Sequence, residues 1–299
     1  MYGDLIVGLT LGVRLAVFSE SSGVVIQFID LIKAIVLGIV EGITEFLPIS
    51  STGHLLIAAR LLDFQRDANG TFEIFIQLGA VIAVVIFYRA TLIDQIRRVR
   101  SDRSVQHFWL AIVLATIPAA VIGFVLRSWI KSTLFVPPVI ALSFIIGGIV
   151  LLLVERRPKI DDVVNESSAA LEAVTFRQAL IIGCAQVIAL IPGVSRSAAS
   201  IIGGISVGLS RRTATEFSFF LAIPTLGGAT IVDLFLSLDG IQSDEWVYLF
   251  VGLFVSFLVA LAAIAWLLRY ISRHSFAVFG VYRIVMGLII LVLVAAKFL

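Results

Sequence analysis

Glu41-Gly42-Ile43-Thr44-Glu45-Phe46-Leu47-Pro48-Ile49-Ser50-Ser51-Thr52-Gly53-His54 puts two carboxylates, a proline break and three hydroxyls into surroundings that are otherwise strongly apolar. Upstream, 28–47 is an apolar run that carries Lys33, Glu41 and Glu45 and stops at Pro48. Downstream, 53–63 reads as a short apolar helix. A second stretch repeats the design: 176–191 breaks at Pro192-Gly193, and 197–209 follows as another short helix. A helix, a Pro/Gly/Ser break and a short second helix form the pattern of a re-entrant hairpin. Irregular backbone at membrane depth is tolerated only where protein or a polar cavity surrounds it.

The rest of the chain supplies the membrane setting. Of its 299 residues, 60% are apolar and 14% charged, and the mean hydropathy is +1.10. A soluble domain is about a quarter charged, so these charges are too few to cover a water-facing surface. With 22 Phe the chain is also unlike a disordered one. Six further stretches are apolar enough to span a bilayer, at 72–88, 108–126, 135–154, 216–236, 247–268 and 276–296. The expected fold is an all-α integral membrane protein with six transmembrane helices plus two re-entrant hairpins. A net charge of +2 argues against nucleic acid as a partner. Cys184 is the sole cysteine, which excludes an intramolecular disulfide, and it reads as a small buried apolar residue.

Basic residues orient the spans. Arg89, Arg97, Arg98, Arg100 and Arg103 place 89–103 in the cytoplasm, as Arg156, Arg157 and Lys159 do for the segment after the third stretch. Arg211 and Arg212 join them if 176–209 turns back, and would fall outside if both hairpins crossed fully. The segment 237–246 has Asp239, Asp244 and Glu245 and no Lys or Arg, so it lies outside. A short outer loop with Arg127 and Lys131 is the exception. Residues 1–24 form an N-terminal extension that reads as an interfacial helix or loose tail rather than a signal peptide.

The hairpins align with each other: Phe46–Thr52 lies on Leu190–Arg196, and Glu41 falls opposite Gln186 with a one-residue gap. Phe72-Glu73 parallels Thr215-Glu216, and Phe144–Gly147 parallels Ile284–Gly287. Residues 25–299 thus read as one membrane domain of two repeats, about 25–155 and 170–299. Each has one hairpin and three spans. Three is odd, so the repeats are related by inversion, and their shared site belongs near the bilayer midplane, at the broken helices.

Glu41 and Glu45 are four apart, on one helical face. Either they hold a hard divalent cation, which takes oxygen ligands, or one keeps a proton and works as an acid or base. The plainer role is to pair with a basic group. Ser50, Ser51 and Thr52 open the next helix, whose free N–H groups and positive dipole end attract anions. His54 is either an interfacial histidine bonded to a carbonyl or a general acid or base. In the second break, Gly193, Ser195 and Ser197 offer backbone and hydroxyls. Arg196 brings a guanidinium whose fork matches phosphate oxygens; the plainer role is a pair with Glu41 or Glu45. Together they describe a pocket for a phosphate or diphosphate with a metal. Gln77, Glu73, Glu216 and Asp233 are weaker candidates. Glu73 and Glu216 read as residues favouring a helix N-terminus.

At these residues the sequence resembles the undecaprenyl-diphosphate phosphatase family of the bacitracin-resistance type. Glu41–His54 matches its first signature. Pro192–Ser200 matches its second, with Ala198 for a common Gly and Ser200 for the usual Thr. The resemblance runs from about residue 25 to the end. It implies hydrolysis of the C55 isoprenyl diphosphate to the monophosphate and inorganic phosphate, which regenerates lipid carrier for bacterial cell-wall synthesis. It also implies a divalent cation, Mg or Ca, and a multi-pass protein of the bacterial plasma (inner) membrane with its site open to the outer face. The partners are then a polyprenyl diphosphate and the bilayer, with the oligomeric state open and a homodimer among the options. The expected roles are Ser51 as nucleophile, His54 or a glutamate as proton acceptor, and Glu41 and Glu45 as metal ligands. Arg196 would neutralise charge, and Ser50, Thr52, Gly193, Ser195 and Ser197 would bind substrate. A metal-activated water, with Ser51 only binding, is the alternative mechanism. A lipid or ion transporter using the same pocket is the rival function, since inverted repeats with broken helices also serve transport.

Overall fold

The computed structural model describes residues 28–64, 71–156, 168–237, 241, 243 and 245–299, and the regular elements among them are all helical. The expected extension 1–24 lies outside the described residues. Helices α1 (Phe28–Thr44) and α2 (Ser51–Leu61) form the first hairpin. The first half continues with α3 (Thr71–Phe87), α4 (Arg89–Arg98), α5 (Arg103–Thr133) and α6 (Pro137–Glu155). A short α7 (Ser168–Glu172) leads to the second hairpin, α8 (Phe176–Val187) and α9 (Arg196–Ser206). Then α10 (Arg211–Ala222) passes through a π-helical turn at Ile223–Gly227 into α11 (Gly228–Ser237), before α12 (Glu245–Ile271) and α13 (Ala277–Ala295).

Each of the six expected spans falls on a helical stretch, and five of these have the length and composition of a membrane crossing. Helices α5, α6, α12 and α13, with α10 and α11 as one continuous stretch, are long and apolar enough to cross a membrane. Helix α3, with 17 residues, reaches that length and composition only when counted together with α4, which bends away from it by 65°. The hairpins turn back. Each returning helix, α2 and α9, has 11 residues. That is about 16 Å at 1.5 Å per residue, half of a hydrocarbon core of about 30 Å. Outward faces are apolar: Leu110, Val113, Ile117, Val121 and Phe124 form an exposed stripe along α5 at helical spacing. In water such a stripe would be an aggregation hazard; in lipid it is the required surface.

The halves interlock. Helix α1 lies along α12, α8 along α5, and α6 along α13, so each hairpin leans on a span of the other half. Backbones touch at these crossings. A Cβ at Gly38 of α1 would stand 2.6 Å from the Gly252 carbonyl oxygen, and one at Gly183 of α8 would stand 2.4 Å from that of Ala115. Without a hydrophobic drive between helices in lipid, this close packing is what holds them.

Several expectations need correction. The repeat register is off by one residue. Ser50 and Ser195 each immediately precede an 11-residue helix, and both have left-handed backbones (φ 72° and 73°). In that register Gly38 falls on Gly183, and Glu41 on Gln186 without a gap. Arg127 and Lys131 are not in a loop, because α5 continues to Thr133; Arg and Lys are good helix formers. Arg127 pairs with Asp233 of α11, which offsets its charge. Cys184 is exposed, not buried; it sits on the outer face of α8, where a thiol meets lipid as a small hydrophobe. Glu73 does lie in the first turn of its helix, but Glu216 is deeper in α10 and accepts from Arg212 at 3.1 Å.

Polar staples close the Arg-rich end. Arg98 bonds Asp94 (2.9 Å), Asp102 (2.5 Å) and Glu172 (3.2 Å), tying α4, α5 and α7 together. Asp102 also caps α5 by accepting from the Ser104 N–H. Arg98, and after it Ser104, hold the Asp102 carboxyl down at about 2. A depressed carboxylate contributes above its unfolded value and loses that contribution only as pH falls through the folded one. The Asp102 contribution therefore persists through mild acid. Arg211 grips Glu155 (Nη2 to Oε2, 2.6 Å), joining the start of α10 to the end of α6.

Candidate active site

The two breaks meet inside the protein. Past Thr44 the chain turns at Glu45–Ile49, all buried, and α2 begins at Ser51. Proline at 48 lacks the N–H that would continue α1, so the hydroxyls fall at the head of a new helix. The Ser50 side chain does not cap α2, and among the described residues no other side chain does. Its first N–H groups are therefore left for an anion, helped by the dipole. The second break differs, since the Ser195 hydroxyl accepts from the Ala198 N–H at 3.2 Å and so caps α9 itself.

Ser51, Glu45 and Arg196 form one chain. The Ser51 hydroxyl donates to Glu45 Oε2 at 2.6 Å. Arg196 Nη2 reaches Glu45 Oε1 at 3.3 Å, with both side chains nearly buried. Arg196 Nη1 donates to the Ser218 carbonyl (2.8 Å) and hydroxyl (3.0 Å), and its guanidinium lies 5.8 Å from the Phe46 ring centroid. The plainer expectation for Arg196, a pair with a glutamate, is thus part of the geometry. Its Nε is buried without a partner, so the group retains a donor.

The other predicted residues divide. His54 does not bond Ser51. Its Nδ1 lies 2.7 Å from the Ser50 carbonyl oxygen, an acceptor only, so Nδ1 carries a proton; Nε2 lies 2.6 Å from the Tyr282 hydroxyl. Ser197 is fully buried and donates to the Leu47 carbonyl at 2.8 Å, which ties the two turns together. Ser195 also meets Ser197 hydroxyl to hydroxyl (2.9 Å). Gly193 offers its carbonyl to Arg283. Ser50 is buried and Thr52 half-buried at the head of α2. Of the weaker candidates, Gln77 accepts from Thr230 at 3.2 Å.

Glu41 is 1% exposed, and its Oε1 has no hydrogen-bond partner. A buried carboxylate oxygen without a donor is costly until a cation or a proton satisfies it. Glu41 and Glu45 therefore fit a hard divalent cation by donor type. Among the described residues no cluster of three or more His, Cys, Asp or Glu forms a cage. Other oxygens of the coordination sphere would have to come from substrate and water, the usual habit of Mg.

Three residues in contact with this arrangement escaped the sequence reading: Ser218, Tyr282 and Arg283. Ser218 is fully buried and also accepts from Ser200 at 2.7 Å. Its signal was the small hydroxyls spaced along α10, Thr215 and Ser218. Arg283 had a plainer one, as an ionisable residue in the middle of an apolar span.

Fold and site together define a class: an integral membrane protein with a serine–carboxylate–arginine site held between two re-entrant hairpins. The chain belongs to the family described as bacitracin resistance protein BacA, which it matches over residues 34–289. Among curated relatives, an undecaprenyl-diphosphatase of Janthinobacterium sp. (strain Marseille) is 49% identical over 260 residues, covering 87% of this chain and 94% of the relative. One from Cupriavidus necator (strain ATCC 17699 / DSM 428 / KCTC 22496 / NCIMB 10442 / H16 / Stanier 337) is 45% identical over 275 residues, with the same coverage. One from Acinetobacter baumannii (strain SDF) is 45% identical over 267 residues, 88% and 95% of the two chains.

Proposed function

We propose that this chain hydrolyses undecaprenyl diphosphate to undecaprenyl phosphate and inorganic phosphate, as the names of its relatives state for them. The observation that carries the mechanism is the 2.6 Å bond from Ser51 to Glu45 at the uncapped head of α2. Ser51 Oγ attacks the terminal phosphorus while its proton passes to Glu45. The bond from that phosphorus to the bridging oxygen breaks, and undecaprenyl phosphate leaves. The proton on Glu45 leaves with the departing undecaprenyl phosphate, so the freed carboxylate can take a proton from water as that water attacks the phosphoserine. Glu45 returns this proton to the departing Ser51 oxygen, restoring the hydroxyl and releasing inorganic phosphate. Arg196 and the α2 N–H groups neutralise the charge that builds on the phosphoryl oxygens. Glu41 and Glu45 would hold a divalent cation, Mg or Ca, which supplies further charge neutralisation when bound. His54, engaged with Ser50 and Tyr282, orients the turn rather than taking the Ser51 proton. The prenyl tail lies in lipid between helices.

The test is phosphate release from a prenyl diphosphate in detergent, where transport is impossible. Release dependent on a divalent cation supports the hydrolase; its absence returns the transporter reading. The same proposal places 25–299 as a single domain in the bacterial plasma membrane, with the site open outward. In a Cys184→Ser background, a cysteine at Arg100 should resist a membrane-impermeant reagent in intact cells, and one at Ser243 should react. Labelling at Arg100 from outside would overturn this orientation.

A further inference from the structure

Arg283 sits mid-way along α13 and is 0% exposed. A fully buried arginine is ordinarily paired with a carboxylate. Among the described residues no carboxylate pairs with it. Its two terminal nitrogens donate to three backbone carbonyls instead, Nη1 to Pro48 (3.2 Å), and Nη2 to Ser143 (3.1 Å) and Gly193 (2.9 Å), while Nε is buried with no hydrogen-bond partner among the described residues. Pro48 belongs to the first turn, Gly193 to the second, and Ser143 to α6. One guanidinium therefore joins both breaks to a span. The planar fork makes this feasible, because its donors diverge at fixed angles that a single ammonium cannot reproduce.

The surroundings are shaped to hold it. A Cβ on Gly147 would lie 2.2 Å from Arg283 Nη2, so the guanidinium occupies the space that any larger residue there would need. The Phe144 ring lies 5.4 Å from the guanidinium. The same ring packs where a Cβ of Gly53 would stand, 2.3 Å from that position. Arg283, Phe144 and the first turn of α2 are thus stacked without slack.

We propose that Arg283 is a positioning residue for the phosphatase reaction. It holds the carbonyls of both turns, so that Ser51, three residues after Pro48, and Arg196, three after Gly193, meet across Glu45. The inference rests on the reading of Ser51 as nucleophile. It goes beyond that reading by making catalysis depend on the final span, which itself adds no group to the Ser51–Glu45–Arg196 chain.

The experiment uses the full chain in detergent and measures kcat and KM for phosphate release from a polyprenyl diphosphate, per monodisperse protein, with Tm alongside. The variants are Arg283→Met, Arg283→Lys, Gly147→Ala and the double Gly147→Ala/Arg283→Met. Misplacing reacting groups by about 1 Å costs on the order of 100-fold, so Arg283→Met should lose kcat on that scale. KM should stay near the parent value, because contacts to the tail are untouched. Arg283→Lys should recover part of the loss. Gly147→Ala should reproduce it by displacing the guanidinium, and should add almost nothing in the Arg283→Met background. A kcat per folded molecule like the parent's, with only Tm lowered, would reduce Arg283 to a structural role. Additive losses for Gly147→Ala and Arg283→Met would also overturn the proposal. If Arg283→Met yields no folded protein, Arg283→Lys and Gly147→Ala decide by the same criteria. Ser51→Ala measured in parallel separates the two claims: turnover retained there counts against the serine reading, turnover retained in the Arg283 variants against this one.

Discussion

Ser51→Ala should abolish turnover to within background, a loss on the order of 10⁶-fold as for other covalent nucleophiles, while the lipid diphosphate still binds. The hydroxyl is nearly buried, donates to Glu45 at 2.6 Å, and stands at the head of a helix without a side-chain cap. Among the described residues no other hydroxyl at this break has a carboxylate partner. Ser50→Ala and Thr52→Ala remove groups that can only bind, worth about 1–3 kcal/mol each if buried. Their losses should be roughly 5- to 150-fold. Measuring phosphate release for the three variants side by side, with substrate binding checked in each, decides the matter. A Ser51→Ala loss no larger than the other two would sink the covalent path and favour attack by a metal-activated water.

Glu45→Gln should be the second most damaging change. It removes the acceptor of the Ser51 proton, worth about 10²–10⁴-fold for a general base. It also leaves Arg196 without its anionic partner. Removing one member of a buried pair costs about 3–5 kcal/mol, so the variant should melt earlier as well. Arg196→Met added to Glu45→Gln should recover much of that stability and none of the activity. Glu41→Gln should act differently, weakening the response to added Mg or Ca while leaving the Ser51–Glu45 bond in place. His54→Ala should fall in the milder range of Ser50→Ala, because both ring nitrogens face away from Ser51 toward the Ser50 carbonyl and Tyr282. Near-parent turnover in Glu45→Gln, together with collapse in His54→Ala, would transfer the base to His54.

The spans and both breaks were legible because their signals are local and large. Twenty apolar residues mark a crossing, and Pro48 and Pro192-Gly193 cannot continue a helix. The first motif was legible for a related reason: paired carboxylates beside hydroxyls have no place in lipid unless they work. What escaped were contacts made by single residues across the chain. Arg283 meets Pro48 through a tertiary crossing that no period or spacing encodes, and Ser218 looks like any small residue in a buried helix. Helix ends were missed where polarity and helicity part company, as at Arg127 and Lys131 in the last turns of α5. The repeat register slipped because the prolines were aligned. The element that recurs in space is the left-handed serine at the head of each short helix.

The interlock of the halves also governs the order of assembly. The first hairpin leaves the ribosome early, yet the helix it leans on, α12, begins only at residue 245. At about 5–20 residues per second the wait is roughly 10–40 s. Until α12 arrives, and for Glu45 until Arg196 arrives to pair with it, the carboxylates of Glu41 and Glu45 must also be kept from hydrocarbon by the insertion machinery or an interfacial resting place. A nascent chain stalled after α11 would therefore carry an unfinished, polar hairpin and should be a preferred target for membrane quality control.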